Sequence, residues 1–146
     1  MAKQKISDLG SSVCVDDQNE KMVPALGNGV GIPGDLCGID PANGRIVLSA
    51  TAIIEQFVGI LMESKITGTE TAIVADIPCK LVVPKSGHGY RIRCDDLGAT
   101  VKVGHAMKFG TTAGKALKEA TLLLGGLGRL ALEGLTGDTV CEVTWN

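Results

Sequence analysis

Lys115 lies within G-T-T-A-G-K-A at 110–116, the stretch of this chain closest in type to a phosphate-binding loop. Such a loop needs four residues between its glycines and a Ser or Thr after the lysine, so that amides cradle phosphate and the hydroxyl meets Mg²⁺. Here three residues separate Gly110 from Gly114, and Ala116 follows Lys115, so the stretch reads as a glycine-containing hairpin turn. G-G-L-G at 125–128 lacks both the spacing and the strand-to-helix setting of a dinucleotide loop. The two histidines are His88, in a glycine-flanked loop beside Ser86, and His105, after Gly104. A serine nucleophile needs its base held opposite it in space, and no G-x-S-x-G elbow surrounds Ser86. Both histidines read as loop and turn residues.

The carboxylate pairs Asp16/Asp17 and Asp95/Asp96 are adjacent in sequence. Neighbours on a strand point to opposite faces, so neither pair makes the facing carboxylates of a glycosidase. Asp95, Asp96, Leu97 and Gly98 read as a turn stabilised by Asp side chains, without the alternating ligands of a calcium loop. The five cysteines, Cys14, Cys37, Cys79, Cys94 and Cys141, are widely spaced and never form C-x-x-C, which argues against zinc. Three of them lie in apolar strand-like runs, and all read as buried, reduced thiols. The residues therefore nominate no catalytic group, cofactor or metal.

The elements that would carry these side chains are strands. R-I-V-L-S-A at 45–50 follows a turn at Pro41, Ala42, Asn43 and Gly44, which opens on Pro and has Gly in its fourth place. The run 51–64 admits a helical stripe, but Gly59 weakens a helix centre and favours a link followed by a strand. T-A-I-V-A-D-I (71–77), C-K-L-V-V (79–83), Y-R-I-R-C (90–94), A-T-V-K-V (99–103), G-R-L-A-L-E-G-L (128–135) and T-V-C-E-V-T-W (139–145) are further strand candidates. Tyr90, Ile92 and Cys94 alternate with Arg91 and Arg93, the pattern of a sheet with one wet face. Segment 110–128 reads as a loop or hairpin with a helical turn near 115–121. Seven to nine short strands with Gly-rich turns define an all-β fold, a small antiparallel β-barrel or sandwich with at most one short helix. Residues 1–34 differ: polar and Gly-rich, with only Ile6, Leu9 and Val13 at helical spacing, they read as an extended N-terminal arm to a domain at 35–146.

Composition narrows the function. Net charge is −2 and the 14 Lys and Arg are spread singly, which argues against direct nucleic-acid binding. The apolar run 50–62 is too short and too interrupted to cross a membrane, and the N-terminus lacks the apolar stretch of a signal peptide, so the chain is expected to stay in the cytoplasm where it is made. Hydrophobic residues make up 45% and aromatics 3%, so the apolar content is aliphatic and exceeds what a small monomer hides easily. A homo-oligomer is the expectation. The alternative, a small-ligand or carbohydrate-binding β-barrel, would need aromatic pocket walls from Phe57, Tyr90, Phe109 and Trp145, which are scattered in sequence.

The order G-D-L-C-G-I-D (34–40), G-R-I-V-L-S-A (44–50), V-G-I-L-M-E (58–63), G-T-E-T-A-I-V (68–74), K-V-G-H-A-M-K (102–108), G-K-A-L-K (114–118), G-R-L-A-L-E (128–133) and G-D-T-V-C-E-V (137–143) resembles the capsid decoration (cement) proteins of tailed phages. Two departures from the family pattern are Leu130, between Arg129 and Ala131, and Thr69, between Gly68 and Glu70. The resemblance implies a non-enzymatic virion protein, made in the host bacterial cytoplasm. It would sit as a trimer on the outside of the head and clamp neighbouring major capsid subunits. Ile6, Leu9 and Val13 are then candidate partner contacts from the arm, the alternative being packing against their own domain. Trp145, one residue from the C-terminus, is a candidate interface residue or an ordinary last-strand core residue.

Overall fold

A computed structural model of the chain describes residues 9, 12–15, 19–49, 57–64, 68–95, 101–119, 126–134 and 137–146. Among them are ten strands and no helix. The first five strands are β1 (Lys21–Leu26), β2 (Leu36–Ile39), β3 (Ile46–Leu48), β4 (Phe57–Leu61) and β5 (Pro78–Val83). They form one antiparallel sheet in the order β1-β5-β4-β2-β3. The others are β6 (Gly89–Arg93), β7 (Ala106–Phe109), β8 (Ala116–Lys118), β9 (Gly128–Leu130) and β10 (Val140–Trp145), in a second antiparallel sheet ordered β6-β10-β9-β7-β8. Sheet membership changes at the 84–88 loop, so each sheet is built from one stretch of chain. Single parallel bridges, Leu26 to Arg45 and Cys94 to Ala116, bring each sheet's outer strands together without closing it into a barrel. The architecture is a β-sandwich.

Within the first sheet, Leu36–Gly38 of β2 and Gly59–Leu61 of β4 are buried on both faces, which suits their apolar runs. Leu36 lies opposite Ile60, and Ile60 opposite Val82, so the three form a row on one face. That row joins Tyr90, Ile92, Met107, Leu130, Val140 and Val143 of the second sheet in the principal core. One residue along, Cys37, Leu61 and Leu81 point the other way and pack with Ala25, Ile46 and Ile73 in a smaller core. Gly59 is required between β4 and β5, because a Cβ there would lie 2.4 Å from the Val82 carbonyl oxygen.

Several sequence expectations are modified. Segment 71–77 is not a strand despite its β-branched residues: Ile73 and Ile77 instead make single backbone hydrogen bonds with the 27–31 loop. A local turn, with Asp76 at φ 61, prevents a ladder there. The expected helical turn near 115 is strand β8, because Ala116, Leu117 and Lys118 pair with Phe109, Lys108 and Met107. Of 99–103, Val101 bridges only Gly134. In segment 1–34, Lys21–Leu26 is strand β1, paired over its full length with β5, and 31–34 is largely buried. Its polar, glycine-rich composition suits these turns as well as it suits a free arm, and tertiary pairing decides between them. The turn at 41–44 forms as expected, with the Gly44 amide donating to Asp40 O.

Candidate functional site: polar clamps, an aromatic cluster and exposed aliphatic loops

The residues nominated as arm contacts divide. Ile6 lies outside the described residues. Leu9 and Val13 are 3% and 0% exposed and belong to the principal core of their own chain. The segment around Val13 runs beside β6: Arg91 N donates to Val13 O at 2.7 Å, Val15 N donates to Gly89 O at 3.0 Å, and Cys14 bridges Tyr90. Two carboxylates hold it there. Glu63 accepts from Ser12 Oγ (2.8 Å) and Val13 N (3.1 Å), while Glu70 accepts from Leu9 N. Charge-assisted bonds of this kind are shorter and stronger than neutral ones.

Arg93 ties these pieces together. It is 8% exposed, although the alternation of 90–94 places it on the expected wet face. Its Nε donates to Pro33 O at 2.9 Å, and its Nη2 donates to Thr69 O at 2.8 Å and to Glu70 at 2.7 Å. The Pro33 turn and the Glu70 loop therefore cover this face. A second clamp lies at the β7–β8 hairpin, where the suspected phosphate loop is the expected turn. Its Gly114 (φ +82) donates to Ser49 O and accepts from Leu36 N, and a Cβ there would meet Asp35 Cγ at 3.2 Å. Lys115 Nζ bonds the Asp35 carboxylate, which is 1% exposed. Burial pushes the Asp35 carboxyl above its ordinary value, against the pull of Lys115 and of the Ile32 amide.

His88 does not face Ser86 as a base: its Nδ1 meets Glu20 Oε1 at 2.6 Å, and Glu20 Oε2 accepts from Tyr90 Oη at 2.6 Å. Burial and the Glu20 hydrogen bond hold the Tyr90 hydroxyl well above the usual phenol range. His105 Nε2 lies 2.7 Å from Glu119 O. No cluster of three or more metal-ligating side chains occurs among the described residues.

The four aromatics, scattered in sequence, form one cluster. Phe57 packs edge-on against Phe109 (5.0 Å) and stacks on Trp145 (5.6 Å), which meets Tyr90 edge-on (6.3 Å). Trp145 is partly exposed and packs against the principal core. A cavity of about 430 Å³ lies elsewhere, lined by Met22, Met62, Ile73 and Cys79 with Glu63 and Lys80. Exposed aliphatic side chains gather on two loop pairs. Val30, Val74 and Ile77 stand on the joined 27–31 and 73–77 loops, and Val103 and Leu132 on the joined 101–104 and 130–134 segments. None of these five was singled out by sequence reasoning, because the exposure of a single aliphatic side chain has no local signature.

No protein-family model matches the chain, and no curated protein does. Among solved structures, a chain in one described as the capsid of Myoviridae phage XM1 has the same fold. Its TM-score is 0.61 at 19% identity, over 99% of this chain and 94% of the other. At that identity the likeness is one of fold, extending through nearly the whole of both chains.

Proposed function

We propose that this chain is a structural protein of a tailed-phage head, and specifically a decoration protein that sits on the outside of the shell and clamps neighbouring major capsid subunits. The observation that carries the reading is the end-to-end fold likeness to a chain of a phage capsid. The family-like order of turns and strands through 34–143 supports it. So do the aliphatic loop tips at Val30, Val74 and Ile77 and at Val103 and Leu132, which are of the kind that subunit contacts cover.

In this reading the work is adhesion, with no reacting group. The chain acts as a trimer, since three linked contacts leave a lattice far more slowly than one. The N-terminal residues before Leu9, including Ile6, and the exposed edge of Trp145 are proposed as additional contacts. Leu9 and Val13 serve by anchoring that arm to the domain.

The test mixes purified protein with expanded heads that lack it, followed by sedimentation and image reconstruction. Saturable binding at fixed outer-surface positions is expected, with light scattering showing a trimer in solution. Failure to co-sediment, or density only inside the shell or on the tail, would overturn the decoration role.

A further inference from the structure

Among the described residues, Cys94 and Cys141 bring their sulfur atoms close enough to react with each other. Their Sγ atoms are 2.7 Å apart, and both residues are buried, at 3% and 4% exposure. Ordinary nonbonded contact is about 3.5–4.0 Å even between carbon atoms, which are smaller, and a disulfide bond is about 2.05 Å. Cys14 lies 3.9 Å from Met62 Sδ, and Cys37, in the smaller core with Cys79, donates to Asp35 O.

The strand register explains the approach. Cys94 follows the last residue of β6 and donates its amide to Thr139 O, while Cys141 pairs with Ile92 in β10. The two cysteines are therefore diagonal neighbours on the inward face of adjacent strands, and a separation of 47 positions in sequence hides the pairing from any local pattern.

We propose that Cys94 and Cys141 form an intrachain disulfide when the chain folds in the presence of a small-molecule disulfide such as oxidised glutathione. One thiolate attacks the small disulfide, forming a mixed disulfide and expelling one small thiol. The second thiolate attacks the protein sulfur of that intermediate and expels the other. Two protein thiols are oxidised, two small thiols are produced, and the two electrons and two protons leave with them. The bond fastens the edge strand β6 to the last strand β10 and closes the chain from 94 to 141. It does not depend on the capsid reading.

The shared hydrogen bond with Cys141 and burial raise the Cys94 thiol far above its ordinary range, so thiolate is scarce once the fold is closed. Oxidation accordingly runs through the unfolded or opened chain and is slow in the reduced native protein.

The experiment refolds the full chain with and without an oxidised/reduced glutathione mixture, followed by thiol counting and non-reducing peptide mapping. Three free thiols of the five should remain after oxidative refolding, with one linked peptide joining Cys94 to Cys141. The melting temperature should rise on the order of 10 °C and fall back when a reductant is added. Five free thiols after oxidative refolding, or linkage through Cys14, Cys37 or Cys79, would overturn the proposal. Because these readouts use the unaltered chain, they do not depend on whether a Cys94→Ala or Cys141→Ala variant folds.

Discussion

Lys115 and Asp35 show how a motif that suggests ligand chemistry becomes a structural tie. The lysine that completes a phosphate-loop-like string is committed to a carboxylate that is almost wholly buried, beneath the β7–β8 hairpin. A carboxyl whose folded pKa is raised favours folding at acid pH and loses that contribution as pH rises through the folded value. Lys115 opposes the rise. Replacing it by Met should therefore cost about 2 kcal/mol at neutral pH, since Asp35 is left buried without its partner while the lysine itself was partly solvated. The cost should shrink on acidification as Asp35 takes up a proton, measured by urea unfolding at neutral and acid pH; a loss that ignores pH would remove the ion pair from the account. Trp145 is tested by Trp145→Ala. Stacked on Phe57 and edge-on to Tyr90, it should cost about 3 kcal/mol of stability in the isolated chain. Unchanged stability would leave partner contact as its whole role.

Elements, rather than single residues, decide what the N-terminal segment does. Its composition lacks a hydrophobic period, yet β1 pairs fully with β5 and residues 12–15 lie against β6. Removing residues 1–15 should withdraw Leu9 and Val13 from the principal core, costing about 4 kcal/mol by buried-area reckoning, and should bare the β6 edge. Thermal melting and light scattering would show a lower transition and aggregation; a melt identical to the full chain would mean that these contacts contribute nothing. Gly59→Ala is the corresponding test of the first sheet. The added methyl would meet the Val82 carbonyl in mid-sheet, so a loss of about 3 kcal/mol is expected by chemical denaturation. The helix-weakening role assigned to Gly59 in the sequence was thus right in its consequence, a strand, but the close approach of β5 is the stronger reason for glycine.

For the molecule as a whole, the two sheets come from consecutive halves of the chain but share one core. Leu36, Ile60 and Val82 from the first sheet pack with residues of the second, and Arg93 and Lys115 reach across to Pro33 and Asp35. The halves should therefore unfold together, in a single transition seen alike by tryptophan fluorescence (Trp145, second sheet) and far-ultraviolet circular dichroism. Two separated transitions would show that each sheet stands alone.

Local physics, read from the sequence, was enough to determine the all-β class, the turn at 41–44, the hairpin at 110–116 and most strand positions. Turn residues and β-branched runs act over a few neighbours, and their signals survive without context. Tertiary structure alone decided which face each strand buries, why Arg93 is covered, that four dispersed aromatics meet, and that Cys94 reaches Cys141. Each of those depends on segments far apart in the chain being brought together, and the free energy that brings them together comes from shared apolar burial. No local period encodes which distant surface supplies it.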